Sequence, residues 1–151
     1  MTPKLPVSVL VVIHTPALDV LLLERAQRPG YWQSVTGSLD RLDEPPAAAA
    51  LREVREETGI DAPPGALLQW QVVNVFEIYP HWRHRFAPGT THNTEHVFSL
   101  EVEARLRVTL APDEHADWLW LPREEAAKKC FSWTNRDALR MLPQLALRKR
   151  R

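Results

Sequence analysis

From Gly37 the chain runs Gly37-Ser38-Leu39-Asp40-Arg41-Leu42-Asp43-Glu44, then Pro45-Pro46, Ala47 to Ala50, and Leu51-Arg52-Glu53-Val54-Arg55-Glu56-Glu57-Thr58-Gly59-Ile60. This predicts a glycine turn, an acidic loop and one amphipathic helix. The four alanines are strong helix formers, and Gly59 suits the left-handed conformation that closes a helix. Ala47, Ala50, Leu51 and Val54 share one helical side at spacings of three, four and seven. Glu53, Glu56 and Glu57 share another, with Glu53 and Glu57 about 40° apart around the axis and about one turn apart along it. Like charges at that spacing weaken a bare helix by roughly 0.2–0.5 kcal/mol per pair. A hard divalent cation reverses the sign, because it needs several carboxylate oxygens together. The plainer alternative is a solvated face neutralised by Arg52 and Arg55. Glycines at both ends and acids kept off the apolar stripe favour the metal site.

The stretch resembles the signature box of the Nudix family: Gly, five residues, Glu, seven residues, Arg-Glu, an aliphatic, any residue, Glu-Glu, any residue, Gly, aliphatic. From Glu44 onward the match is complete, through Arg52, Glu53, Val54, Glu56, Glu57, Gly59 and Ile60. Six residues, not five, separate Gly37 from Glu44. That insertion falls in a loop, leaving the helix register intact but the place of Glu44 open. Pro45 and Pro46 stand where a capping residue is usual, and proline is tolerated in a first turn. The resemblance implies an α/β (α+β) fold, an α/β/α sandwich around a mixed sheet, in a single domain spanning residues 1–151.

Length and composition agree with this. A chain of 151 residues fits one domain that buries roughly two-thirds of its unfolded surface. Lys+Arg and Asp+Glu both number 19, so no global field draws in nucleic acid or a membrane surface. Phosphate binding must come from local clusters. The single Cys130 cannot form an internal disulfide and suits a buried apolar role in a reducing compartment. No apolar run approaches the roughly eighteen residues of a membrane span, and the start lacks a cleavage signature. The cytoplasm is the expected location.

Along the chain, Val7 to Ile13 predicts a strand buried on both faces, Val20 to Leu23 a second, and Tyr31 to Thr36 a third that delivers Gly37. Leu67 to Tyr79 predicts a long strand bent near Asn74. Residues 80–94 read as an irregular loop. Glu95 to Arg105 and Trp118 to Leu121 read as further strands. Pro122 opens a short helix with Glu124 and Glu125 early and Lys128 and Lys129 late, a charge order that suits the helix dipole. Asn135 to Leu147 reads as a last helix with a possible break at Pro143, and Arg148 to Arg151 as a solvated tail.

The acids imply chemistry. Magnesium binds few protein carboxylates and takes other ligands from water and substrate phosphates, which suits phosphoanhydride hydrolysis. Glu53, Glu56 and Glu57 are the catalytic candidates: Glu53 and Glu57 as metal ligands, Glu56 as a further ligand or an acid–base group. In the family a carboxylate from a later loop often joins the metal, and Glu114, beside His115, fits that place; a turn residue without function is the plainer alternative, and metal binding is favoured over it. Magnesium is the expected cofactor, with manganese as a substitute.

Outside the box, Trp32 to Ser38, Arg83 to Gly89 with Asn93-Thr94-Glu95, Glu114-His115 with Trp118 and Trp120, and Ser132 to Arg136 are similar to family members acting on a pterin triphosphate in folate biosynthesis. The similarity implies a small-molecule pterin or nucleoside polyphosphate substrate, with Lys4, Arg25, Thr36 and Ser132 as its contacts. Each has a plain reading too: Lys4 and Arg25 as surface charges, Thr36 as a strand residue, Ser132 as a helix cap. Arg83 and Arg85, with His81 and His84, form a basic loop that either grips phosphate or pairs with acids such as Glu77 or Glu95. Of six tryptophans, Trp70, Trp118 and Trp120 read as packing, and Trp32, Trp82 and Trp133 as candidates for a ring-binding wall. Two alternatives stand beside this reading. One is hydrolysis of a nucleoside triphosphate, ADP-ribose or a dinucleoside polyphosphate; the other is a binding module without catalysis.

Overall fold

The computed structural model describes residues 2–150, with side chains described for residues 2–142. The expected solvated tail, Arg148 to Arg151, falls outside the described side chains. Seven strands form one mixed sheet: β1 (Val7–His14), β2 (Asp19–Arg25), β3 (Trp32–Gln33), β4 (Val35–Ser38), β5 (Leu67–Glu77), β6 (His92–Glu101) and β7 (His115–Pro122). Helix α1 spans Pro46–Thr58, α2 Arg123–Lys129 and α3 Trp133–Arg150.

Strand β1 is the axis. It runs parallel to β6 along its whole length, from Val7 opposite Thr94 to His14 opposite Glu101. On its other edge it pairs antiparallel with β4 over Ser8 to Val11 and meets β2 only at His14. Strand β2 pairs in turn with β3 and β7. Side chains alternate along β1, and both sets are apolar. Val9, Val11 and Ile13 pack with Ala49, Ala50 and Val54 of α1, while Leu10 and Val12 pack with Ala126, Ala138, Leu139 and Leu142 of α2 and α3. A period of two with no polar face requires cover on both sides, which the helices supply. The expected α/β/α sandwich is the observed architecture. Among the described residues no helix is long and apolar enough to cross a membrane.

Several boundaries differ from expectation. The third strand is two pieces, broken at Ser34, whose backbone N–H donates to Asn135 Oδ1 at 2.8 Å while Asn135 Nδ2 donates to Ser34 Oγ at 3.0 Å. A carboxamide from α3 thus replaces a strand partner. The bend in β5 falls at Gln71 (φ 58°), where the register shifts between Gln69 and Val73. Asn74 stays in the ladder opposite Glu95. Residues 80–94 are not wholly irregular: Pro80–Arg85 is a 3₁₀ turn, and β6 begins at His92. Strand β7 is longer than read, starting at His115. Helix α3 runs without interruption through position 143. Trp32 is buried against α2 and α3 and is core, not a ring-binding wall; Trp70 and Trp120 are buried as expected.

Candidate active site

Helix α1 starts behind Pro45 with no side-chain cap, and ends at Gly59 (φ 75°), whose N–H donates to Arg55 O at 2.9 Å. Its core face is Ala49, Ala50 and Val54, and the acidic face is split. Glu56 is exposed over half its side chain, whereas Glu53 and Glu57 are turned inward and buried. Gly37 explains how Glu53 fits: a Cβ built there would overlap the Glu53 carboxylate. The glycine of the box, set within β4, thus leaves room for the close approach of the Glu53 carboxylate.

Arg52 binds the preceding loop to the helix. It donates to both oxygens of Glu44 at 3.1 Å, to Ser38 O at 3.2 Å and to Glu53 Oε1 at 2.8 Å. Glu44 is buried and also accepts from the Asp40 N–H at 2.8 Å, so the loop with its extra residue closes around Glu44 without displacing it. The Arg52 hydrogen bonds hold the Glu44 carboxyl below its ordinary value.

Glu57 is only 1% exposed, and neither carboxylate oxygen has a hydrogen-bond partner. Burial, then the neighbouring Glu53, raises its pKa well above the ordinary value. Burial is also the leading cause of the upward shift of Glu53, opposed by Arg52. An ionised carboxylate buried without a partner costs several kcal/mol, so this pair calls for a proton or a cation. Ligand atoms of Glu57, Glu114 and His115 all lie within 4.8 Å of one another. The orphaned carboxylate oxygens and the neighbouring acids suit a hard divalent ion.

His115 is a residue that spacing alone missed. It is buried, its Nε2 lies 3.6 Å from Glu57 Oε1 and 3.3 Å from Gln33 Nε2, and burial lowers its pKa to about 4. It is therefore neutral at pH 7. The adjacency of Glu114 and His115 was its only trace in the sequence.

Opposite the acids stand cations. Lys4 N donates to Arg85 O at 2.8 Å, which pins the N-terminal segment against the 3₁₀ turn and sets the two side chains beside each other. Arg25 ends β2, donates to Gln33 Oε1 at 3.2 Å and lies 4.6 Å over the Trp82 ring. Burial and mutual repulsion with Arg85 lower the pKa of both Lys4 and Arg25. Three crowded cations facing buried acids create a field that a polyphosphate with its metal would satisfy. All of these groups, with Thr36 and Glu56, line one cleft of about 910 Å³. Arg83 does not line it; its guanidinium pairs with Glu77 and donates to Ile78 O at 3.0 Å. The two loop arginines thus divide between the two readings.

A second pocket, of about 170 Å³, opens from the same place and shares Lys4, Arg25, Thr36 and Arg85. Its aromatic wall includes Tyr79, Trp82, Phe131 and Trp133. Tyr31, outside the pocket lining, stacks on Phe131 at 4.8 Å and supports that wall. Ser132 lines this pocket and also caps α3, accepting from the Asn135 N–H at 3.2 Å. Of the four predicted substrate contacts, Lys4, Arg25 and Thr36 face both chambers, and Ser132 faces only the aromatic one.

The chain belongs to the Nudix family: the NUDIX domain model matches residues 4–142. It is a Nudix hydrolase, of a family that works with a divalent metal. Dihydroneopterin triphosphate diphosphatase of Escherichia coli K12 is 43% identical over 139 residues, which cover 90% of this chain and 91% of that protein. The enzyme of the same name from Haemophilus influenzae is 40% identical over 136 residues, covering 88% and 84%. The solved structure of the E. coli dihydroneopterin triphosphate pyrophosphohydrolase matches with a TM-score of 0.87 at 41% identity, over 93% of this chain and 97% of that one. A Caenorhabditis elegans Ap4A hydrolase shares the fold, with a TM-score of 0.69 at 22% identity, over 91% of this chain and 95% of that one.

Proposed function

We propose that this protein is a magnesium-dependent pyrophosphohydrolase that converts 7,8-dihydroneopterin triphosphate and water to dihydroneopterin monophosphate and pyrophosphate, a step in folate biosynthesis. One observation carries the reading: a cleft of orphaned carboxylates facing cations opens directly into an aromatic pocket. A triphosphate attached to a flat ring matches that pair of chambers, and relatives of over 40% identity are named for such a substrate.

Glu53, Glu57 and Glu114 are the groups that would hold magnesium, with manganese as a substitute. When bound, the ion supplies charge neutralisation at the phosphates and makes a water more acidic. Lys4, Arg25 and Arg85 orient the phosphate chain. Glu56, the exposed acid of the three, pairs with Arg52 at 3.4 Å and is the candidate further ligand or acid–base group. Neutral His115, in contact with Gln33, packs beside Glu57. Thr36 and Ser132 position the substrate where the chambers meet. We assign one domain over residues 1–151 and, on the unpaired Cys130, a cytoplasmic location.

Purified protein incubated with dihydroneopterin triphosphate and magnesium should release pyrophosphate, and chelation should stop it. Orthophosphate as the first product would overturn the assignment. Tight ligand binding without any product, across metal concentrations, would favour a binding module.

A further inference from the structure

The aromatic pocket holds a buried carboxylate that the phosphate chemistry does not use. Glu95, on β6, is 4% exposed, and its Oε1 has no hydrogen-bond partner. Asn74, opposite Glu95 on β5, and Thr134 stand beside the same carboxylate and temper its upward pKa shift. Two residues earlier, and so on the same face of the strand, lies Asn93. It is 5% exposed, donates through Nδ2 to Ser8 Oγ at 2.7 Å, and leaves Oδ1 without a partner. Both side chains line the pocket that Tyr79, Trp82 and Phe131 wall. A buried acceptor left unsatisfied costs roughly 1–3 kcal/mol, and a charged one more. Two of them side by side at a pocket wall are expensive as packing. They are economical as half of a recognition site, and the missing half must offer donors.

We infer that Glu95 and Asn93 read the ring of the substrate: Glu95 Oε1 and Asn93 Oδ1 accept from the ring N–H and the exocyclic amino group of a 2-amino-4-oxopyrimidine edge, as in a pterin or guanine. The inference rests on the pyrophosphohydrolase reading and adds the residues that choose the ring. An adenine ring presents an amino donor beside a ring-nitrogen lone pair, so one acceptor would face another. A site built to hydrogen-bond a donor discriminates strongly against a ligand that lacks it, because its own buried group is stranded. Burial raises the Glu95 pKa to about 7. Donors arriving from a ring would favour the carboxylate.

The test compares wild type, Glu95→Gln and Asn93→Ala on dihydroneopterin triphosphate, GTP, ATP and inorganic tripolyphosphate with magnesium. Neopterin, a ring without phosphate, is titrated separately by tryptophan fluorescence. Glu95→Gln should lower kcat/KM for the two 2-amino-4-oxo substrates by about 10–100-fold and weaken neopterin binding in step, with tripolyphosphate turnover unchanged. Asn93→Ala should do the same by roughly fivefold. Equal losses on tripolyphosphate, or wild-type neopterin affinity in both variants, would overturn the assignment. If wild type hydrolyses GTP but not dihydroneopterin triphosphate, with the same dependence on Glu95, the ring edge stands and the proposed substrate falls.

Discussion

Glu57 in the cleft and Glu95 in the pocket are both buried carboxylates with an unpartnered oxygen, yet their surroundings differ. Glu57 sits among other acids, Glu53 and Glu114, across from Lys4, Arg25 and Arg85. Glu95 sits among neutral partners, Asn74, Asn93 and Thr134, across from aromatic rings. Crowded acids call for a cation of more than one charge; a lone acid in an amide-lined wall calls for N–H donors. The same functional group is thus set to two tasks by its neighbours.

The largest effect that can break this contrast is at Glu57. Glu57→Gln should lower kcat roughly 10³-fold without lowering the melting temperature, since the substitution removes a buried charge along with a metal contact. Near-normal pyrophosphate release would dissolve the distinction between the two carboxylates.

Next in size is a difference in stability. The Glu95 pKa is about 7 folded against an ordinary 4.5. Between those values the folded protein keeps a proton that the unfolded chain has released, so stability falls as pH rises through the window. The difference corresponds to about 3 kcal/mol. Ligand-free wild type should lose that much unfolding free energy relative to Glu95→Gln between pH 4.5 and pH 7 in denaturant titrations. His115, with a pKa lowered to about 4, works in the opposite sense, losing stability as pH falls below 6.5. It is common to both proteins and cancels in the comparison. Parallel curves would show that Glu95 is not buried as described.

Gly37→Ala is expected to sharpen the contrast from the other side. The new methyl group would push the Glu53 carboxylate aside, and that carboxylate is the free end of a flexible side chain. The fold should survive while kcat falls about 10–100-fold and neopterin affinity holds. Equal loss of both would mean that the chambers are one mechanical unit. The smallest expected difference separates the loop arginines. Arg85→Ala should raise KM about tenfold through lost phosphate contact, and Arg83→Ala should change it less than about twofold because Arg83 is committed to Glu77. Reversed effects would exchange their roles.

Much of the cleft was legible along the chain because its parts are close in sequence. Glu53 and Glu57 are separated by one helical turn, Gly59 stops that helix, and Arg52 reaches back to Glu44 across eight residues. Helical periodicity converts such spacings directly into geometry. The split of the acids into exposed Glu56 and buried Glu57 could not be read from spacing, since it depends on how closely the strand bearing Gly37 approaches. The bend in β5 was misplaced for a related reason: Asn74 tolerates unusual backbone, but Gln71 takes the positive φ.

Residue order and local periodicity were enough for the helix, its acids, its glycine stop and the apolar strands, and the family resemblance implied the sandwich. The pocket was settled in three dimensions. The parallel pairing of β1 with β6 brings Ser8 beside Asn93 and Glu95 from 85 and more residues away, and the start of α3 adds Thr134 and Asn135 from another part of the chain. Trp32 and His115 likewise took their roles from neighbours distant in sequence. A side chain's spacing fixes which face it shares, but only long-range packing fixes what it meets there, and burial with or without a partner follows from that meeting.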